Sequence, residues 1–212
     1  MRYRHFFWDF DGTLYDTYGR IARAFLRGLH ELGADASYEE VYALNKRSNL
    51  ECARVFAARG AGTEEELLAA YRRHSEEEPI DGVLMYPGAK DVLEAVCRLG
   101  GSNYLYTHRG ASLEGYLQKD GIEALFADRI TSLDAFPRKP APDARNHLIE
   151  KHGLSRGDGV MIGDRTIDLD AGKNAGIACA LFDPDGLCPG YDPPWQFRTM
   201  AELKAALCTD TE

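Results

Sequence analysis

The chain has 212 residues, 44% of them hydrophobic and 28% charged. Those proportions exclude a disordered tail, a collagen-like chain and a disulfide mini-scaffold, and the length can bury a sizeable core in one large domain or one domain carrying a smaller one. Lys and Arg total 25 against 34 Asp and Glu, a net charge of −9 with a pI near 5.2. An acidic chain without a basic stripe repels a phosphate backbone, which argues against nucleic acid as a partner. A small anionic substrate would need a metal or local cations to receive it. The five cysteines, Cys52, Cys97, Cys179, Cys188 and Cys208, include no CxxC pair and read as reduced thiols of a cytoplasmic protein. No apolar run approaches the ~18 residues that span a bilayer, so no membrane is implied. The aromatic start Phe6-Phe7-Trp8 is cut short by Asp9, too brief for a signal core.

Tyr3 to Trp8 reads as a short buried strand broken by Gly12. From Asp16 to about Glu78 the pattern is helical. Ile21, Ala24, Phe25, Leu29 and Leu32 recur at helical spacing, with Gly33 as a C-cap. Capping boxes follow at Ser37…Glu40, Ser48…Glu51 and Thr63…Glu66, and Pro79 ends the last helix. After Pro87-Gly88 helices and strands alternate. A helix over Val92 to Leu99 precedes a strand at Asn103–Tyr106, a helix at Leu113–Lys119 and a short strand at Arg129–Ser132. Then come a helix at Asp143–His152, a strand at Gly159–Ile162, a helix at Asp168–Asn174 and a strand at Ile177–Phe182. Asp183 to Arg198 reads as a long loop with Pro184, Pro189, Pro193 and Pro194, a surface connection. A helix capped by Thr199 and Glu202 closes the chain. This is an α/β fold, a Rossmann-like parallel sheet with helices on both faces. Residues 15–85 form an inserted small helical domain, and residues 1–14 with 86–212 form the α/β core.

Ligands of open α/β sheets bind beyond the carboxyl ends of the strands. There the first strand delivers Asp9-Phe10-Asp11-Gly12-Thr13, the second Thr107-His108-Arg109-Gly110, and the fourth Gly163-Asp164 with Asp168 four residues on. Arg138-Lys139-Pro140 precedes the helix at 143. Clustered carboxylates repel, and a hard cation bound through oxygen relieves this; so few protein ligands leave room for water and a phosphate oxygen, as Mg²⁺ prefers. Asp9 and Asp11 are two apart, so on an extended segment they point the same way. A carboxylate can attack phosphorus to give an aspartyl-phosphate. Attack of an anion on an anion needs neutralisation, from Mg²⁺ and Lys139. The Thr107 hydroxyl and the amides of the Thr107–Gly110 turn can hold phosphoryl oxygens.

These segments resemble the haloacid dehalogenase-like superfamily, and within it the helical-cap phosphatases similar to phosphoglycolate phosphatase and β-phosphoglucomutase. The DxDGT motif matches Asp9–Thr13, the Ser/Thr motif Thr107, the Lys-Pro motif Lys139-Pro140, and GDxxxD Gly163–Asp168. The resemblance covers nearly the whole chain, and the four motifs in order make it specific. It implies a Mg²⁺-dependent phosphatase of a small phosphorylated metabolite, monomer or homodimer. Asp9 would be nucleophile and metal ligand. Asp11 would be acid and base, binding metal through its backbone carbonyl. Thr107 would hold the phosphoryl group, Lys139 bridge nucleophile and phosphate, Asp164 ligate metal, and Asp168 hold metal-bound water or orient Lys139. An aspartate at position 11 favours phosphoryl transfer over dehalogenation.

The insertion resembles the family's first cap class, since only the 31 residues 108–138 separate Thr107 from Lys139. Tyr15, Asp16, Tyr18 and Arg20 would lie at the first hinge, and Lys46-Arg47-Ser48-Asn49 would form a polar turn. Arg47 is the candidate for a second anionic group of the substrate, because its planar fork suits carboxylate or phosphate. His108 and Arg109 are further substrate-binding candidates. His5, His30, His74, His147 and His152 show no metal spacing. Two alternatives stay open: a sugar phosphomutase with the same first step, and a silent phosphate-binding regulatory module.

Overall fold

The computed structural model describes residues 1–186, 188 and 192–209. They divide into two compact units, one of residues 1–15 with the described residues from 85 onward, the other of residues 16–84. No helix among the described residues is long and apolar enough to cross a membrane.

The first unit is built on a parallel sheet in the order β3-β2-β1-β4-β5-β6. The strands are β1 (His5–Trp8), β2 (Ser102–Tyr106), β3 (Phe126–Ile130), β4 (Gly159–Gly163), β5 (Ala178–Phe182) and β6 (Trp195–Phe197). Both faces of the sheet centre are covered, which is why β4 reads as a continuous buried run rather than an alternating one. Phe6, Phe7 and Trp8 are all buried, and the Trp8 indole nitrogen donates to Asn103 Oδ1 at 2.9 Å inside the core. Asn103 in turn donates to the carbonyls of Leu93 and Leu125. A buried amide is tolerable because its hydrogen bonds are made. The chain winds outward from β1 through β2 to β3, then restarts beside β1 at β4. That reversal opens a crevice at the carboxyl ends of β1 and β4.

The helical unit holds α1 (Tyr18–Glu31), α2 (Tyr38–Arg47), α3 (Asn49–Ala58) and α4 (Glu64–Glu77). Its core gathers Ala22, Phe25, Leu29, Val41, Ala53, Phe56 and Leu67 from all four helices. Ser37 and Ser48 accept from the backbone amides of Glu40 and Glu51, and Thr63 with Glu66 forms a complete capping box. The remaining helices of the first unit are α5 (Ala89–Arg98), α6 (Leu113–Asp120), α7 (Asp143–Lys151), α8 (Thr166–Asn174) and α9 (Met200–Leu207).

Four sequence expectations need correction. The third strand runs over Phe126–Ile130, not Arg129–Ser132, because the Asp134 carboxylate draws Thr131 out of the ladder by accepting from its amide and hydroxyl. The stretch 183–198 is not all loop: β6 pairs with β5 at the sheet edge, a three-residue strand too short to show alternation. Pro189, named in that loop, lies outside the described residues. Helix α8 begins at Thr166, so Asp168 stands in its first turn. A single residue, Ser48, joins α2 to α3, leaving Lys46 and Arg47 inside a helix rather than in a turn.

Candidate active site

The crevice collects its side chains because each strand stops there. Asp9 directly follows β1. Its Oδ1 accepts from Lys139 Nζ at 2.7 Å, and both side chains are buried. Lys139 Nζ also lies 2.7 Å from Asp168 Oδ1, so one buried ammonium pairs with both carboxylates. Arg165 stands 3.9 Å from a carboxylate oxygen of both Asp9 and Asp168. Asp9, Asp164 and Asp168 each present a carboxylate oxygen, and these oxygens lie within 4.8 Å of one another. Thr13 Oγ1 donates to Asp164 Oδ1 at 3.3 Å.

Gly163 shows why this packing demands its sequence. A Cβ there would fall 2.3 Å from Asp168 Cβ and 2.8 Å from Asp168 Oδ2, so only glycine lets α8 bring Asp168 against β4. Asp168 Oδ2 accepts from the Arg165 amide at 3.2 Å, which fixes the carboxylate in the first turn of α8.

The electrostatics separate the two buried acids. Burial pushes the Asp9 carboxyl up to about 6, and the neighbouring Asp168 adds to the rise against the pull of Lys139 and Arg165. Burial works on Asp168 the same way, but Lys139, Arg165 and Arg145 outweigh it and hold that carboxyl below its usual range. Asp9 Oδ2 is buried without a hydrogen-bond partner. A buried carboxylate oxygen left in this state is costly. Beside two further carboxylates, it fits a hard, oxygen-seeking divalent cation such as Mg²⁺.

Asp11 departs from the expectation that it would point with Asp9. The chain leaves the extended form at Phe10, whose carbonyl accepts from the amides of Leu14 and Tyr15, and Gly12 turns at φ 81°. The Asp11 carboxylate is therefore absent from the triad. It receives Arg109, whose Nε lies 3.2 Å from Asp11 Oδ1 and whose Nη2 also donates to it. Arg109 is held in turn by Ser112 Oγ at 3.1 Å and by the rings of Phe10 and Tyr116.

Thr107 is buried, and its Oγ1 accepts from the Arg109 amide at 3.0 Å. His108 faces the Lys139 backbone: its Nε2 accepts from that amide at 3.2 Å, placing the ring proton on Nδ1. Burial and the cations of Lys139, Arg138 and Arg165 push His108 down to about 3, so the ring is neutral at physiological pH. Lys139 precedes Pro140 through a cis peptide. Arg47 belongs to the helical unit, where it is exposed and pairs with Glu51 at 2.9 Å.

Three neighbours of the site were not singled out from sequence. Arg165 lies inside the GDxxxD motif and could have been found by its place there. Tyr106 directly precedes Thr107. Arg145 carries no sequence signal, being one polar residue in a polar helix.

A haloacid dehalogenase-like hydrolase family profile matches residues 6–182. A phosphoglycolate phosphatase of Vibrio parahaemolyticus is 38% identical over 110 residues, covering 51% of this chain and 46% of the relative. That alignment thus spans about half the length of the relative. A pyrophosphatase, PpaX of Listeria innocua, is 27% identical over 208 residues, covering 93% of each chain. Among solved structures, a hydrolase from Streptococcus pneumoniae TIGR4 is 30% identical, with 98% of this chain and 99% of that one covered at a TM-score of 0.66.

Proposed function

The chain belongs to the haloacid dehalogenase-like hydrolases, and from that premise we propose that it is a phosphatase releasing phosphate from a small phosphomonoester through Asp9. One observation carries the reading. A buried carboxylate at the end of the central strand has one oxygen on Lys139 and the other without a hydrogen bond beside two more carboxylates.

In this reading Asp9 attacks phosphorus and the bond to the alcohol oxygen breaks, leaving an acyl phosphate on Asp9. Asp11 gives a proton to the leaving oxygen, then takes one from the water that cleaves the acyl phosphate. To do so it must exchange its contact with Arg109 for the substrate. The freed guanidinium then meets an anionic oxygen of the bound ester. Lys139 neutralises charge between Asp9 and the phosphoryl group, and Thr107 with the amides of its turn holds phosphoryl oxygens. His108 keeps the Lys139 backbone in place. Asp9, Asp164, Asp168 and the Asp11 backbone carbonyl would hold Mg²⁺. That ion, when bound, supplies Lewis-acid neutralisation of the transferring group. The helical unit serves as the cap, with Arg47 its candidate for a second anionic group.

The test is Mg²⁺-dependent phosphate release from p-nitrophenyl phosphate, followed by a panel including phosphoglycolate, sugar phosphates and pyrophosphate. Asp9→Asn is expected to lower turnover at least ~10³-fold. Acid-quenched wild-type enzyme should carry phosphate on Asp9. Full activity under chelation, or in the Asn variant, would overturn the reading. Conversion of a sugar phosphate to its isomer would replace it with a mutase.

A further inference from the structure

Arg145 is fully buried in α7 and takes no part in the chemistry above. Its Nε donates to the Ala171 carbonyl at 3.1 Å, and Nη1 lies 3.6 Å from the Met161 sulfur. Nη2 is buried without a hydrogen-bond partner. A buried guanidinium ordinarily has a carboxylate in contact, since the charge is otherwise costly to desolvate. Arg145 instead rests on the Tyr106 ring, 4.8 Å from its centroid, and Lys139 Nζ rests on the same ring at 4.8 Å. The Tyr106 hydroxyl donates to the Pro137 carbonyl at 3.2 Å, two residues before Lys139. Tyr106 thus joins Arg145 to the lysine that touches Asp9 and Asp168. Burial pushes Arg145 down to about 10, and the carboxylates of Asp168 and Asp9 act the other way, so it stays cationic at neutral pH.

The charges of the crevice can then be set against each other. Asp9, Asp164 and Asp168 bring three negative charges. Lys139 and Arg165 bring two positive ones in contact, and Arg145 brings the third at the Tyr106 ring that it shares with Lys139. We propose that Arg145 is the buried counter-charge of the acidic triad, so that a divalent cation and a phosphoryl dianion bind this site as a pair rather than singly. A divalent cation alone leaves the balanced site with two surplus positive charges, and a dianion alone with two negative ones. Together they restore neutrality in a place poorly screened by water. Because linkage is reciprocal, each must raise the affinity of the other by the same factor. This rests on the phosphatase reading above and adds a residue and a binding rule to it.

Calorimetric titration of the full chain tests it, with MgCl₂ alone, inorganic phosphate alone, and each in the presence of the other. The wild type should show mutual tightening of about tenfold or more. Arg145→Met removes the charge at similar volume. Mg²⁺ alone should bind it at least about fivefold more tightly and phosphate alone more weakly, while the mutual tightening, set by the attraction between the two ligands, should persist. Arg145→Lys should keep the wild-type values. A merely structural arginine would, on removal, weaken both ligands or change neither. Independent binding in the wild type overturns the proposal without any variant, and so does Mg²⁺ affinity unchanged or weakened in a folded Arg145→Met. Absence of both Mg²⁺ binding and phosphatase turnover in the wild type is a different result, which removes the functional reading and this proposal with it.

Discussion

Arg20 of the helical unit and Arg145 of the α/β unit are both almost wholly buried, and the two units treat them in opposite ways. Arg20, at the start of α1, is 2% exposed and spends its donors on one short segment. Its Nε reaches the Glu78 carbonyl at 3.1 Å, Nη1 reaches Ser75 Oγ at 3.2 Å, and Nη2 donates to the carbonyls of Ser75 and Glu78. It ties the two ends of the helical unit together and leaves the charge well solvated by dipoles. The other charges of that unit stand at its surface in pairs such as Arg73–Glu31, Arg59–Glu40 and Arg47–Glu51. Arg145, by contrast, has few hydrogen bonds, and Asp9, Lys139 and Asp168 are buried in the same unit. Charge that could have been satisfied locally is held partly unsatisfied in the α/β unit, and that is where chemistry needs it. Desolvation costs several kcal/mol per ion, so such a cluster is a poor way to stabilise a fold.

The contrast can be broken most sharply at Lys139. Lys139→Met should lower phosphate release at least ~10²-fold while the far-ultraviolet dichroism stays native. If turnover survived, the buried charges of the α/β unit would be as purely structural as Arg20. Next in size, Arg20→Met should destabilise the helical unit by about 2–4 kcal/mol in urea titration, since several carbonyls lose their donor at once. Mg²⁺ binding should be spared, and an unchanged melt would remove the difference between the two arginines. A smaller effect is expected at Asp128, at the edge of the α/β unit. Burial opposes its ionisation, but Lys151, His152 and the Arg129 amide outweigh this and hold it down to about 2. Its contribution is present above the unfolded value near 4 and is lost as pH falls through 2. Asp128→Asn should therefore cost about 1 kcal/mol at pH 7 and progressively less as pH falls from about 4 through 2, read from urea midpoints across that range. Smallest is Arg47→Ala, whose exposed pair with Glu51 should be worth under ~0.5 kcal/mol of stability. A rise in KM for doubly anionic substrates, without a change for p-nitrophenyl phosphate, would give Arg47 a role beyond that pair.

What could be read from the sequence was what local rules govern. Apolar runs ended by Asp9, Thr107 and Gly163 located β1, β2 and β4, and the hydroxyl-to-carboxylate spacings located the starts of α2, α3, α4 and α9. The Lys139–Asp9 contact spans 130 positions and was reachable through the resemblance, not through any local pattern. Failures came where a long-range or side-chain contact overrode the local signal. Asp134 moved the end of β3, β5 recruited the three residues of β6, and the turn at Gly12 swung Asp11 away from Asp9 towards Arg109. Arg145 was invisible for a related reason. In the polar run Asp143–Asn146 an arginine reads as solvated, and only the packing of α7 on the sheet and α8 buries it.

The hydrogen bond between Trp8 and Asn103 gives the protein an optical asymmetry. The sequence contains two tryptophans, Trp8 and Trp195, and both lie in the α/β unit. Trp8 is sealed in the core one residue from Asp9, while Trp195 lies partly open on the edge strand. Indole emission therefore follows the sheet and is silent to the helices of residues 16–84. Both units carry helices, so helical dichroism reports both, and any part of its loss that does not coincide with the loss of indole emission belongs to residues 16–84.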